Sequence, residues 1–520
     1  MLAQITAEKA KEKLVTVTMS LCPECNRIIP GKIIERDGKI YLRKTCPEHG
    51  DFEELYFGDA EMYHRFSKYA HDGKGTGNPN IKSIGYACPA NCGLCSGHIS
   101  HTALANIVVT NRCNLYCWYC FFYAERAGYV YEPTLEQIRE MVRRLRAETP
   151  VPGNSVQITG GEPTLRDDLP EIIRIIKEEG IDHIQLNTNG IRLAHDFEFF
   201  REVKEAGVSN LYLSFDGVTA RTNPKNHWEI PKVLENARKL RVGIVLVPTV
   251  IKGLNDHELG DMIRFGFKNI DVIRSVNFQP VSLTGRMPKE EREKFRITIP
   301  DCIIRIEEQT GGEIPREAWF PVPACVPVTH IIEAITKQPK YELSNHFACG
   351  AGTYVFKDGD RLIPITEFVD VDGLLKYLQD KADEIEAGRS RPIVGMKILW
   401  NFGKFIDEKK QPTGLNIKRM LFEILVRHDY SSVGEWHMRS LFLGMMHFQD
   451  KYNYDVERVR RCNIHYLMPD GRIIPFCAFN VVPEWYRDYV QKMYGMPISE
   501  WEKKTGRKLR DDMYRRVLPQ

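Results

Sequence analysis

No stretch of the 520-residue chain stays apolar for the roughly 20 residues a helix needs to cross a bilayer. The first residues, Met1-Leu-Ala-Gln-Ile-Thr-Ala-Glu-Lys9, carry no signal-peptide pattern. A cytoplasmic protein is expected, with no transmembrane segment, either free or resting on a membrane surface. Charge of one sign is missing too. The 72 Lys and Arg nearly balance 69 Asp and Glu, and the net +3 gives no global field for nucleic acid.

Cysteine is not scarce: there are 14. In a secreted chain they would suggest disulfides, but tight C-x2-C and C-x3-C spacings in a reducing compartment favour metal ligation. They fall into groups: Cys22, Cys25 and Cys46; Cys88, Cys92 and Cys95; Cys113, Cys117 and Cys120; and the scattered Cys302, Cys325, Cys349, Cys462 and Cys477. Cys22-Pro-Glu-Cys25, an Asp37-Gly38 hairpin and Cys46-Pro-Glu-His49 have the knuckle-hairpin-knuckle plan of zinc ribbons and rubredoxins. One mononuclear iron or zinc is expected there, closed by His49 or by a fourth cysteine.

The length suggests two or three domains. Residues 1–101 read as a cysteine-rich metal module. In 102–300 short apolar strands (105–110, 155–159, 183–187, 210–215, 242–249, 273–279) alternate with helical periodicity (134–148, 169–179, 196–206, 229–240, 256–267), which is the pattern of a parallel α/β sheet. Thr134 and Gln137 stand in capping-box positions. Residues 301–520 carry two Asp-Gly hairpins and end in Trp- and Tyr-rich helices, and read as a third domain.

Cys113-Asn-Leu-Tyr-Cys117-Trp-Tyr-Cys120 follows the first of these strands. Three thiolates are one too few for a closed zinc site or a fully ligated four-iron cube, so either a fourth ligand lies elsewhere or one iron is left open. Gly160-Gly161-Glu162-Pro163 follows the next strand, at the same carboxyl mouth of the sheet. Together the two motifs resemble those of the radical S-adenosylmethionine (radical SAM) enzymes. The resemblance implies a partial (βα)6 barrel, flanked by the N-terminal metal module and a C-terminal α+β auxiliary-cluster domain. It also implies SAM and a 4Fe-4S cluster as cofactors and an external electron donor such as ferredoxin or flavodoxin.

In that family the cluster is held by Cys113, Cys117 and Cys120, which serve catalysis, and Gly160, Gly161, Glu162 and Pro163 form the turn that meets the SAM amino group. Tyr119 resembles the aromatic beside the adenine, though ordinary core packing fits it equally. Asn187, Asn189, Ser214 and Asp216 resemble ribose-binding positions, unless they only build turns and caps. Val250 opens a segment resembling the adenine contact. Cys88, Cys92 and Cys95 repeat the triplet spacing and look like an auxiliary site. His98 and His101 nearby read as solvated or capping. Cys349 and Cys462 to Cys477 lie on hairpins resembling auxiliary-cluster hairpins, and Cys325 is the candidate to complete their set.

Two apolar stretches, 393–406 and 441–448, suit a greasy tunnel or plain core, and Lys418-Arg419 and Arg458-Val-Arg-Arg461 suit lipid phosphates or solvent. The whole-chain plan resembles the archaeal tetraether lipid synthases. That implies coupling of the terminal carbons of two phytanyl chains of diether lipids through an sp3–sp3 bond, with two SAM per bond, on a peripheral membrane surface and without nucleic acid. Two other readings stand beside it. One is radical methyl or methylene transfer to a pterin; the other is a non-catalytic electron-transfer or nucleic-acid-binding protein.

Overall fold

The computed structural model describes residues 12–79, 88–120, 127–285, 289–419, 436 and 438–516. Strands β1 (Lys13–Leu21), β2 (Ile28–Arg36), β3 (Lys39–Cys46) and β4 (Gly50–Phe57) form an antiparallel sheet in sequence order. Asp37 and Gly38 both take positive φ, 51° and 70°, which is the backbone a two-residue hairpin turn requires.

The strands that follow are β5 (Leu104–Thr110), β6 (Tyr129–Val130), β7 (Ser155–Gly160), β8 (His183–Thr188), β9 (Asn210–Ser214), β10 (Gly243–Val247), β11 (Thr249–Val250) and β12 (Ile273–Pro280), all but β6 joined in one core sheet. Helices Leu135–Arg146, Leu169–Glu178, Phe197–Ala206, Ile230–Leu240 and Leu259–Lys268 stand between them, close to the expected bounds. The Thr134–Gln137 capping box forms in both directions. The expected fifth strand, 242–249, divides into β10 and β11 at Pro248, which has no N–H to give a ladder.

Burial explains the pairing of layers. Ala105, Ile107, Val109, Val156, Ile158, Ile184, Leu186, Leu211, Leu213, Ile244 and Leu246 alternate along their strands and are fully buried under the helices. Ile138, Met141, Val142 and Leu145, at helical spacing, cover part of that face. Each such side chain contributes roughly 1.5–3 kcal/mol. The alternate strand positions, among them Asn106, Gln157, Gln185 and Tyr212, line the concave side.

Later segments extend the same sheet: β13 (Phe320–Pro321), β14 (Gly350–Asp358), β15 (Arg361–Pro364), β16 (Ser440–Met446), β17 (Ile464–Leu467) and β18 (Ile473–Pro475). Its order is β13-β14-β16-β12-β10-β9-β8-β7-β5-β17-β18. The run from β17 to β16 is parallel throughout, and the end hairpins are antiparallel. Among the described residues the two end strands do not pair, so the barrel is open. The hairpins β14–β15 and β17–β18 turn at the two expected Asp-Gly pairs. They lie toward opposite ends of the sheet.

Candidate active site and metal centres

The cysteine triplet occupies the loop that leaves β5. Arg112 anchors this loop from inside: Nε meets Glu132 at 2.8 Å, Nη1 meets Asp512 at 2.7 Å, and Nη2 donates to the Leu165 carbonyl at 3.1 Å. Burial pushes the Cys113 thiol well up, with Cys120 and Glu162 adding to it, and burial pushes Cys117 up to about 11. Neighbouring thiols oppose the ionisation of Cys113 and Cys117, which a multiply charged cation would favour, so the donor set fits an iron–sulfur cluster. A single tetrahedral ion would draw its sulfurs to about 3.8 Å of one another. These three do not form such a close group.

The Gly-Gly-Glu-Pro turn is shaped by the protein itself. A Cβ on Gly160 would stand 2.1 Å from the Thr110 carbonyl oxygen, and one on Gly161 would stand 2.0 Å from that of Arg112. The Gly161 and Glu162 amides donate to those same carbonyls at 2.8 and 2.7 Å. The close approach that Gly160 and Gly161 allow is thus filled, within the chain, by the end of β5 and the start of the cysteine loop. Glu162 is buried, and its carboxylate accepts from Thr164 N, Thr164 Oγ1, Thr188 Oγ1 and Asn189 N at 2.6–3.1 Å. It ties β7 to β8, with Pro163 opening the short helix that follows.

Tyr119, Gly160, Gly161, Asn187, Ser214 and Cys120 face one cavity of about 1210 Å³ on the concave side of the sheet. Asn189, Asp216 and Val250 lie outside its lining. Asn189 Nδ2 donates to Asn114 Oδ1 at 2.6 Å, which fixes the cysteine loop, and Val250 is fully buried. Asp216 accepts from the Tyr119 hydroxyl and from Thr249 N at 3.0 Å, and pairs with Lys225 at 2.7 Å. Lys225 also donates to the Tyr119 hydroxyl at 3.1 Å and opposes the upward shift of Cys117. Sequence reasoning missed Lys225, which sits in a long loop with no motif around it.

The same cavity is also lined by Cys325, Cys349, Cys462 and Cys477. Cys349 adds to the burial that raises the thiols of Cys462 and Cys477, whereas Cys325 points its thiol at the Val322 carbonyl, 3.1 Å away. Arg458, expected on a solvated or lipid-facing surface, is fully buried: Nε donates to Cys349 Sγ at 3.2 Å and Nη2 to the His447 carbonyl at 2.6 Å. Cys349 precedes β14 and Arg458 precedes β17, so the contact joins segments from the two ends of the open sheet. Stretch 441–448 supplies Phe442, Met446 and Phe448 to the cavity, but none of 393–406 lines it, and Trp400 is 83% exposed.

In the ribbon, Cys22 Sγ and Cys46 Sγ lie 3.7 and 3.5 Å from His49 Nδ1, and Cys25 Sγ lies 3.9 Å from Cys46 Sγ. These are the separations of ligands around one tetrahedral ion, and His49 is the fourth of them. Burial would raise the Cys46 thiol, but His49 and the turn amides outweigh it and bring it down to about 6. Cys88 and Cys92 touch, and the chain just beyond Cys95 runs beside Cys462. His98 and His101 are buried, not solvated: His98 Nε2 lies 2.9 Å from the Cys462 carbonyl, and His101 Nε2 accepts from Glu342 N at 3.0 Å. Cys302 is an isolated core thiol.

An open α/β barrel with a three-cysteine loop at its mouth defines a radical SAM enzyme, and residues 107–266 match the model of the radical SAM superfamily. Residues 14–58 match the HMPTM N-terminal zinc ribbon domain. The chain is 46% identical over 497 residues, 94% of its length and 97% of the relative's, to 7,8-dihydro-6-hydroxymethylpterin dimethyltransferase of Methanocaldococcus jannaschii, and it belongs to that family. It is 34% identical to GTP 3',8-cyclase of Aquifex aeolicus over 34% of this chain and 56% of that one. A radical SAM methyltransferase structure from Sphaerobacter thermophilus aligns over 59% of the chain and 76% of its own at 14% identity, with a TM-score of 0.29. SAM, a 4Fe-4S cluster and an electron donor come with the superfamily, and the chemistry is that of a transferase.

The near full-length match overturns the expectation of diether lipid coupling. The plan of ribbon, second triplet, SAM core and cysteine hairpins, which suggested a lipid synthase, is carried over nearly its whole length by a family whose named member acts on a pterin. The membrane surface expected with that lipid loses its ground. Among the described residues no helix is long and apolar enough to cross a membrane.

Proposed function

We propose that this protein transfers one-carbon groups to a reduced pterin by radical SAM chemistry. The observation that carries the reading, beside the relative, is the polar wall of the cavity. Asn106, Gln157, Gln185, Asn187, Asn277 and Gln279 face it from the strands. A carboxamide offers both donor and acceptor, which matches the lactam and amino edge of a pterin and gives a hydrocarbon chain nothing to pair with. Gln185 Oε1 is buried without a hydrogen-bond partner, an acceptor that a ring N–H would satisfy.

In this reading Cys113, Cys117 and Cys120 hold the cluster, which when bound supplies the single electron that cleaves SAM to methionine and a 5′-deoxyadenosyl radical. The protein's own part is placement. Glu162 and Asn189 fix the turn and the cysteine loop, Lys225 holds Asp216 and Tyr119, and the strand amides orient the substrate. Cys349, Cys462 and Cys477, with Arg458 against them, would hold an auxiliary cluster beside the same cavity, and Cys88, Cys92 and Cys95 a further one.

The test is anaerobic incubation of cluster-reconstituted protein with reductant, 7,8-dihydro-6-hydroxymethylpterin, SAM for the radical, and a one-carbon donor, supplied either as further SAM or as a methylene-tetrahydropterin, followed by mass spectrometry. Pterin product heavier by one methylene per transfer, with 5′-deoxyadenosine formed, is the expected outcome. Deoxyadenosine with the pterin unchanged overturns the substrate and leaves the radical enzyme.

A further inference from the structure

His71, His330 and Glu342 form a group that contains no cysteine, with one ligand atom of each within 4.8 Å of the others. His71 follows the helix Ala60–Ser67, His330 lies on the helix Val326–Thr336, and Glu342 lies in the loop before β14. The orientation of His330 is fixed by its neighbours. Gln379 Nε2 donates to Asp383 Oδ1 at 2.8 Å, so its amide oxygen is the atom that faces His330 Nδ1, also at 2.8 Å. Nδ1 therefore carries the hydrogen, and Nε2 turns to Glu342 Oε1 at 3.1 Å. Two acceptors at that distance need a cation between them or a second proton on the ring. Holding one nitrogen through a partner's oxygen while the other faces a carboxylate is how proteins present histidine to a metal.

Glu342 adds a second observation. Its side chain is 3% exposed, and its Oε2 is buried with no hydrogen-bond partner. Lys74 reaches only Oε1, at 3.2 Å, and it has Glu333 and the Lys340 carbonyl as partners of its own. His71 has its ring centre 5.2 Å from that of His330 and lines a surface cleft of about 830 Å³, which gives an entry path. We propose that His71, His330 and Glu342 bind a zinc-class divalent ion, with water in the fourth position toward the cleft. Two imidazoles and a carboxylate are the ligand set of a three-residue zinc site. The ion would pin the segment after the ribbon to the C-terminal helices.

Crystals of the cluster-loaded holoenzyme soaked in zinc chloride test this by anomalous difference maps at the zinc edge. A peak among the three side chains is expected, together with the loss of one zinc per chain in the paired variant His71→Gln, His330→Gln. Iron content and deoxyadenosine formation should stay at the level of the unaltered protein, which shows that the variant is folded. A map without a peak at this site, or unchanged zinc in a folded variant, overturns the proposal.

Discussion

Glycine at 161 separates the demands of backbone from those of ligand. Its missing Cβ leaves room for the Arg112 carbonyl, which would otherwise sit 2.0 Å away, so Gly161→Ala must push the cysteine loop off the turn. A destabilisation of about 3 kcal/mol is expected. Deoxyadenosine formation should fall much further than that loss of folded protein explains, because the displaced loop carries Cys113, Cys117 and Cys120, the proposed cluster ligands. Gly38→Ala is the control: its φ of 70° disfavours a side chain, but nothing lies within 4 Å, and it should cost about 1 kcal/mol with full activity. Equal activity loss in the two variants, measured beside their melting temperatures, would remove the special role of the turn. The same positions show what a motif conveys. Gly160, Gly161 and the three cysteines announce their place because each needs one residue type at one spacing. Lys225 and Arg458 do not, since a lysine in a loop and an arginine in a charge run look alike whether they end up in solvent or buried against Asp216 and Cys349.

At the scale of elements, the strands and helices of the core were legible because one face of each is uniformly apolar, and the period alone identifies them. The joining of β16 to β12 and of β17 to β5, which brings β14 and β18 into the same sheet, was not, because those pairings join segments more than a hundred residues apart. That seam is also where pH should act. His98 and His101, in the segment before β5, pack against residues 460–465 and Glu342; burial holds each down to about 4, with the Cys462 carbonyl resisting the shift at His98. The unfolded chain binds protons at these rings near pH 6.5, before the folded one does. Stability is therefore intact above pH 6.5 and falls as the pH drops toward 4, by roughly 3 kcal/mol for each ring. Urea midpoints between pH 7 and 5 should decline, and His101→Gln should flatten the decline. A midpoint independent of pH would show that the seam does not carry the folding free energy.

The molecule as a whole is held around its reactive loop by its last residues. Asp512 and Arg112 are both nearly fully buried and meet at 2.7 Å, and Trp501 lies under the same guanidinium at 4.9 Å. Tyr514 N donates to the Asn114 carbonyl inside the cysteine loop at 2.9 Å. The Tyr514 hydroxyl and Arg516 both meet Glu229 at 2.8 Å, and Arg516 donates to the Lys225 carbonyl at 2.9 Å, beside the lysine that holds Asp216. A chain that ended after Gly506 would keep every cysteine yet leave Arg112 buried with one carboxylate fewer. Removing one member of such a pair costs about 3–5 kcal/mol. The cost falls on the cysteine loop and the Lys225–Glu229 segment beside it, because those are what these residues bind. The truncated protein should therefore keep its ribbon metal while losing iron from the SAM cluster, with deoxyadenosine formation down by more than about tenfold. Asp512→Asn should show a smaller loss in the same order. Iron analysis with electron paramagnetic resonance of the reduced protein measures both. Full cluster occupancy in the truncated chain would mean that β5, Glu132 and the Gly-Gly-Glu-Pro turn suffice to hold the loop.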